Sequence, residues 1–174
     1  MDERIETTLA HFRQAHVDGG PHLFRAETAF LSFLCTLCAI EALAGYRYGN
    51  AVAGAGERFR AFIATYFPAA YHAHADRLWD FRNGMIHAFT PRRMSIIRGV
   101  PAAHLNVDES GTPTLNAEDF FGAMVSAANA YVAALQASAE LQEAFLDRLT
   151  STAGGAIHVA VVGFGQVQVP EQDA

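Results

Sequence analysis

A cation, an amide and an imidazole lie close together in an otherwise apolar stretch between Asp80 and Pro91. Arg82 and His87 are separated by four residues, and Asn83 directly follows the arginine. An imidazole changes its charge near neutral pH, which suits proton transfer. A guanidinium stays charged and is the better fork for a phosphate group. We therefore treat this stretch as the candidate functional site, with most of the chain as its scaffold.

The helix that carries these residues has to bring them to one substrate. Helical periodicity predicts that helix over residues 69–89. On an ideal helix, residues five apart are separated by about 140°, so Arg82 and His87 would diverge. Three arrangements would resolve this: a helix distorted at Asn83-Gly84, an arginine long enough to reach round, or a second copy of the helix packed against the first. Gly84 favours the second copy, because a missing side chain permits close approach.

The length predicts one domain over residues 1–174, and the apolar pattern predicts a mainly α fold of about five helices. A small β-hairpin at about 94–115 is expected between two helices, with its turn at residues 109–111. A β-like tail is expected at 156–169. The helices are predicted over residues 3–16, 24–47, 57–67 and 69–89, and from the N-cap Asn116 to about Thr150.

The charge balance argues against a general nucleic-acid coat protein, because the net charge is -6 and such domains are normally basic, but it does not exclude a local basic site. All twelve basic residues are arginine, for which codon bias is the simpler explanation. Even so, an acidic chain would focus positive potential on one arginine-rich patch. Five arginines lie around the candidate site: Arg77, Arg82, Arg92, Arg93 and Arg98.

The two cysteines, Cys35 and Cys38, have CxxC spacing inside an apolar helical segment. Core packing is the expected role, because a redox or zinc motif would be exposed or accompanied by further soft ligands. The N-terminus is charged and has no apolar signal region, so a reducing, cytoplasmic setting is expected. The apolar window 29–44 is short and contains Glu41, which argues against a membrane span.

Other polar residues in the helices admit simpler interpretations. Glu41 either lies at the edge of its helix or pairs with an arginine across the bundle, because a buried charge needs a partner. His72 and His74 point about 200° apart on a helix and cannot share an ion. His72 and Asp76 could share one, but two ligands do not make a site. We expect no metal and no cofactor.

The segment Arg82-Asn83-Gly84-Met85-Ile86-His87 resembles the Arg-x(4–6)-His motif of the HEPN superfamily, the α-helical domains of many prokaryotic RNases and toxins. In that family the residue after the arginine is commonly polar and often asparagine. The order of helices around the motif is also similar, over roughly residues 24–150. The resemblance therefore implies an antiparallel helical bundle with its core at 24–150. The β-hairpin and the β-like tail are departures from a minimal HEPN bundle.

The resemblance implies metal-independent RNA cleavage by a homodimer, in which the 2′-hydroxyl attacks the adjacent phosphate. In this scheme His87 carries the proton, Arg82 stabilises the phosphoryl oxygens, and Asn83 orients the phosphate or the imidazole. Arg92 and Arg93 would bind the flanking RNA backbone. A toxin, defence or stress role is implied, with RNA as substrate and a cognate antitoxin or regulatory protein as partner.

Two less specific interpretations stay open. His87 could cap the end of its helix by hydrogen bonding a backbone carbonyl, and Arg82 could be a structural partner of Glu41 or Asp80. The chain would then be a non-catalytic binding or dimerisation module of the same fold, since a fold alone does not determine function. Tyr71 or Trp79 could stack a base, although core packing is the simpler role for both.

Overall fold

A largely buried helix, α2, runs through the centre of the bundle and packs against α3, α4, α5 and α6. The computed structural model describes residues 1–52 and 54–152. The predicted helical bundle with a small β insertion is confirmed. Its elements are α1 (Glu3–Phe12), α2 (Ala29–Tyr48), α3 (Ala55–Tyr66), α4 (Ala75–Ala88), β1 (Ser95–Ile97), β2 (Thr114–Asn116), α5 (Ala117–Ala137) and α6 (Ala139–Thr152).

Aromatic side chains join the candidate helix α4 to the rest of the core. Phe33 of α2 meets Phe81 of α4 edge to face, with ring centroids 5.9 Å apart, and stacks at 6.4 Å on Phe120 of α5. All three side chains are almost completely buried. Burying one such side chain contributes roughly 1.5–3 kcal/mol, so this cluster fixes which face of α4 turns inward.

Helix α4 is regular through Asn83 and Gly84, so the distortion considered for that dipeptide is not present. The predicted helix over 69–89 begins as a 3₁₀ segment, Ala69–His74, directly after Pro68. Its last helical residue is Ala88, and Phe89 follows in the left-handed region with φ 50° and ψ 35°. Many helices end on a left-handed residue, which is usually glycine.

The β insertion departs from a simple hairpin. The predicted turn forms, with the Gly111 N–H donating to the Asp108 carbonyl at 2.9 Å and one antiparallel bridge between Val107 and Pro113. The longer pairing, however, joins β1 and β2 in parallel, with Ile96 opposite Leu115. A parallel pair requires a long crossover between its strands, which no local turn pattern reveals. The predicted tail at 156–169 lies outside the described residues.

The predicted helix from Asn116 to Thr150 is two helices, α5 and α6, divided at Ser138. Ser138 has extended backbone angles, and its hydroxyl accepts the Leu141 N–H at 3.2 Å. Gln142 Nε2 donates to the Leu135 carbonyl at 3.1 Å, which satisfies the end of α5. An alanine-rich pattern continues across this cap, and the periodicity therefore predicted one helix where there are two.

Two segments, Ala26–Tyr48 and Ala117–Ala137, are long and apolar enough to cross a membrane by length and composition. The first exceeds the 29–44 window on which the membrane argument was based. Half of its most apolar window is buried inside the fold, and the core helix of a soluble protein meets the same criterion. The cytoplasmic setting stays a prediction.

Candidate functional site at the end of α4

Arg82 is held by contacts from three directions. Its Nε donates to Glu41 Oε2 at 2.5 Å, and its Nη2 contacts the same oxygen. Its Nη1 donates to Asn83 Oδ1 at 3.2 Å, and the guanidinium carbon lies 5.3 Å from the centre of the Trp79 ring. Of the two interpretations of Glu41, pairing across the bundle is therefore the one observed. The pair lies near the surface, with 16% of the Arg82 side chain and 28% of the Glu41 side chain exposed.

Glu41 compensates the charge of Arg82, and this changes what Arg82 offers a substrate. A phosphate that approached the guanidinium would have to share it with a carboxylate already in place. Removing either partner of a buried pair typically costs 3–5 kcal/mol, and less where water reaches the pair, as it does here. Arg82 thus ties α4 to α2 and holds the amide of Asn83 at the same time.

His87 is exposed and forms no hydrogen bond or ion pair with any residue in the described part of the chain. The helix-capping bond considered for it is therefore not formed there. By helical geometry Asn83 lies about 40° from His87 and about 100° from Arg82, so the amide stands between them. The Nη1 bond to Asn83 thus directs the guanidinium toward the side of α4 that carries His87. Of the three arrangements considered, this is closest to the one in which a long arginine extends around the helix.

Gly84 is covered by residues 90–92, where the chain folds back over α4, and not by a second helix. A Cβ built at this position would lie 2.4 Å from the Thr90 carbonyl oxygen and 2.8 Å from Arg92 Cγ. The expectation that Gly84 admits a second copy is therefore wrong for this site, since residues 90–92 already fill the space. Because Gly84 and His87 are neighbours at i and i+3, the aliphatic part of Arg92 lies on the His87 side of α4.

The two predicted RNA-binding arginines differ in their surroundings. Arg92 is exposed and has no carboxylate or carbonyl partner for its side chain within residues 1–52 and 54–152. Arg93 donates from Nη1 to Asp80 Oδ2 at 2.6 Å. The other arginines of the patch are also engaged, Arg77 by the Gly111 carbonyl at 2.5 Å and Arg98 by Glu118 at 3.9 Å. Among these five arginines, Arg92 alone lacks such a partner in the described structure.

The cysteines behave as packing residues. Both are half-buried and unpaired, and burial raises the pKa of the Cys35 thiol. Burial also raises the pKa of Cys38, an effect that nearby Arg82 opposes and that Cys35 and Glu41 reinforce. A thiol whose pKa is raised carries little thiolate at neutral pH and is a poor nucleophile or soft ligand. The core-packing interpretation fits this environment.

His72, just before α4, has an ordinary structural partner. The His72 ring donates from Nε2 to the Phe67 carbonyl at 3.0 Å. No group of three or more His, Cys, Asp or Glu side chains is placed to hold a metal ion in the part of the chain that the structure describes. The absence of a cofactor stays a prediction.

One aromatic residue at the site does not lie where helical periodicity alone would put it. The helical pattern assigns Phe89 to the apolar face of its helix, but 71% of it is exposed. The two aromatic residues considered for base stacking have other roles. Tyr71 is buried, and Trp79 lies against Phe59 as well as Arg82. For Phe89, the sequence did contain a signal, which is the Thr90-Pro91 that follows it. A residue before proline avoids the helical region, so the helix has to end near Phe89.

No protein-family model, curated protein or solved structure matches the chain. The resemblance to the HEPN superfamily therefore depends on the residues of α4 and on the order of the helices around them.

Proposed function

We propose that this chain is a metal-independent endoribonuclease of HEPN type that acts as a homodimer on RNA. The observation that carries the proposal is the polar side of α4, where His87 is exposed and has no partner among residues 1–52 and 54–152. Helical spacing puts His87 on the same side as Asn83 and as Gly84, against which the stem of Arg92 packs. An imidazole free to exchange protons beside an uncompensated guanidinium is what phosphodiester transfer requires.

The proposed reaction moves one proton and exchanges one P–O bond for another. The 2′-oxygen of a ribose attacks the adjacent phosphorus, and the bond from phosphorus to the 5′-oxygen of the next nucleotide breaks. The products are a 2′,3′-cyclic phosphate and a 5′-hydroxyl. A neutral His87 accepts the 2′ proton, and a protonated His87 donates to the departing oxygen. In a dimer the two copies of His87 supply one of each form.

In this proposal the three arginines contribute differently to binding the phosphate. Arg82 is compensated by Glu41, so it contributes mainly by holding Asn83 in place. Arg92 brings the charge that no carboxylate offsets within the described residues, and it binds the phosphate most strongly. Arg93, paired with Asp80 at the surface, binds the flanking backbone more weakly.

The test is a cleavage assay with single-stranded RNA in the presence of a chelator. We expect wild-type protein to release fragments with 2′,3′-cyclic phosphate ends from RNA but not from the same sequence with 2′-O-methyl groups. His87→Ala should cleave at least about 100-fold more slowly, the usual minimum for losing an acid–base residue. His22→Ala, which changes an exposed histidine outside α4, should cleave at the wild-type rate. Equal rates for wild type and His87→Ala would contradict the proposal.

A second candidate is a non-catalytic binding or dimerisation module. The ion pair between Arg82 and Glu41 favours it, because a structural arginine is expected to be compensated in this way. Such a module would keep its fold and its partners in His87→Ala and would cleave no RNA in either form.

A toxin or defence role, with a cognate antitoxin or regulatory protein, is part of the first proposal. It is tested by expressing the chain in bacteria. Growth arrest that His87→Ala abolishes, with both proteins at equal levels, supports the role. Arrest that persists in His87→Ala contradicts it.

A further inference from the structure

Phe89 is more exposed than any other large apolar side chain in the described residues, at 71% against 54% for Val107, the next. An exposed phenyl ring loses the benefit of burial, and residues 1–52 and 54–152 leave most of this one uncovered. Single exposed apolar residues are common on proteins. The position of Phe89 is not, because it is the residue that ends the candidate helix, two positions after His87.

The backbone holds Phe89 in a conformation that a bulky residue seldom adopts. Its φ is 50°, in the left-handed region where glycine is normally found at helix ends. The N–H groups of Phe89 and Thr90 are both directed to the Gly84 carbonyl, the second at 3.1 Å. Residues held in such sparsely populated regions occur often at ligand sites, where the surrounding structure imposes them. The backbone at Phe89 is thus held by these two hydrogen bonds, which fixes the point from which the ring projects.

One face of the ring is already supported. Phe89 stacks on Phe30 of α2, with ring centroids 5.8 Å apart and an angle of 17° between the planes. Phe30 packs against the core and is itself half-buried, so it is a firm base for the exposed ring. Since most of Phe89 is exposed, a flat ligand can stack on it without displacing a side chain of the described residues.

The residues around the ring favour a nucleotide over an apolar partner. Four exposed polar residues lie within four positions of Phe89 in the chain: His87, Thr90, Arg92 and Arg93. Arg92, whose stem lies against Gly84, offers a cation without a described carboxylate partner. A π-face beside a guanidinium is the combination by which proteins bind single-stranded nucleic acid, with stacking for the base and charge for the phosphate.

We propose that Phe89, supported by Phe30, is a platform on which an unpaired base of the RNA stacks, next to the phosphate that Arg92 binds. This inference rests on the proposed endoribonuclease function and adds a substrate-positioning residue to it. It predicts a requirement for single-stranded substrate, because a base inside a duplex cannot present its face to the ring.

The test measures binding apart from cleavage. A fluorescein-labelled single-stranded RNA of twelve nucleotides with 2′-O-methyl groups cannot be cleaved by 2′-oxygen attack, and its anisotropy reports the Kd. We expect Phe89→Leu, which keeps apolar bulk but removes the π-face, to raise Kd about 5- to 100-fold. Phe89→Trp should bind at least as tightly as wild type. Leu31→Ala, a change at another exposed apolar residue, should leave Kd unchanged.

A second variant separates folding from binding. Phe89→Gly suits the left-handed backbone and should remain folded by circular dichroism, yet bind as weakly as Phe89→Leu. A duplex of the same sequence should bind wild type weakly and show no difference between wild type and Phe89→Leu.

The outcomes distinguish this inference from the proposed function. Equal Kd values for wild type, Phe89→Leu and Phe89→Gly would overturn the stacking platform, even if His87→Ala still abolished cleavage. Binding that depends on Phe89 without any cleavage by wild type would keep the platform and remove the nuclease. A Phe89→Leu protein that changes its oligomeric state in sedimentation, with an unchanged Kd, would assign the ring to a protein interface and also overturn the inference.

Discussion

Arg82 of α4 and Glu41 of α2 form an ion pair at the border of the candidate site, and Arg82 holds the amide of Asn83 at the same time. The pair connects a core helix to the helix that carries the proposed chemistry. Its strength therefore bears both on stability and on the charge available to a phosphate.

Glu41→Gln should weaken folding and strengthen RNA binding. The change removes the compensating charge with little change of shape, and we expect the free energy of unfolding to fall by about 1–3 kcal/mol, since the pair is only partly buried. With Arg82 released, the logarithm of RNA affinity should fall more steeply with the logarithm of salt concentration, by roughly 0.7 for one added phosphate contact on a single strand. Urea unfolding and anisotropy at several salt concentrations measure the two effects.

The matched control for Glu41→Gln is Asp80→Asn. It makes the same charge change in the surface pair with Arg93, whose side chains are largely exposed. We expect its free energy of unfolding to change by no more than about 1 kcal/mol. Similar losses of stability in both variants would mean that the Arg82–Glu41 pair contributes no more to the free energy of unfolding than the surface pair does.

Gly84→Ala should destabilise the protein although alanine is the better helix former. Its Cβ would lie 2.4 Å from the Thr90 carbonyl oxygen, and a backbone atom cannot move aside cheaply. We expect a loss of roughly 1–3 kcal/mol and a displaced segment 90–93, with slower RNA cleavage.

Gly122→Ala in α5 is the control for Gly84→Ala, because a Cβ there meets no atom of the described residues within 4 Å. It should stabilise the protein by up to about 1 kcal/mol, as glycine-to-alanine changes in exposed helix interiors do. Thermal or urea unfolding of both variants gives the comparison. A stable Gly84→Ala protein with normal activity would show that the packing of residues 90–92 against Gly84 is required neither for stability nor for cleavage.

His104 should make folding pH-dependent. Its Nδ1 accepts the Asn116 N–H at 3.0 Å, so its proton lies on Nε2, which donates to the Tyr71 hydroxyl at 2.7 Å. That hydroxyl in turn donates to the Asp119 carbonyl at 3.4 Å. Burial lowers the pKa of His104, and the Asp119 carboxylate opposes the shift. Protonation at Nδ1 would replace an acceptor with a donor and break the bond to Asn116.

The sign of the effect follows from the lowered pKa. The unfolded chain, in which histidine titrates near 6.5, takes up the proton more readily than the folded chain. The stability from His104 is therefore complete above about pH 6.5 and is lost as the pH falls through its lower folded pKa. Burial also lowers the pKa values of His16 and His74, which add to the same slope. Urea unfolding between pH 4.5 and pH 8, a range around the unfolded pKa, measures the effect. The free energy of unfolding should change less steeply with pH in His104→Ala than in wild type.

The two cysteines should react slowly with thiol reagents in the folded protein. Burial raises the pKa values of Cys35 and Cys38, so little thiolate is present at pH 7 to 8. We expect labelling by iodoacetamide to accelerate strongly on addition of urea. Labelling of the native protein as fast as that of a free thiol would instead indicate a reactive CxxC pair.

Local patterns in the sequence predicted what neighbouring residues decide among themselves. Helical periodicity located α2, α3 and the start of α5, and Thr90-Pro91 marked the end of α4 within a residue or two. Asn116 begins α5 as predicted, with the turn at 109–111 before it. The side chain of Asn116 nevertheless does not cap the helix. It accepts the Val100 N–H and donates to Asp119, because the β insertion brings those groups to it.

The types of the site residues came from the sequence, but their partners came only from the tertiary structure. Glu41 and Arg82 are 41 positions apart, and only the packing of α2 on α4 shows that they pair. The covering of Gly84 and the exposure of Phe89 likewise depend on how the chain returns after α4. Periodicity records which residues share a face of one helix, while contacts between distant segments depend on the packing of the whole core. For this protein, the sequence by itself therefore determined the helices and the candidate chemistry, and the tertiary structure decided which charges remain free to act.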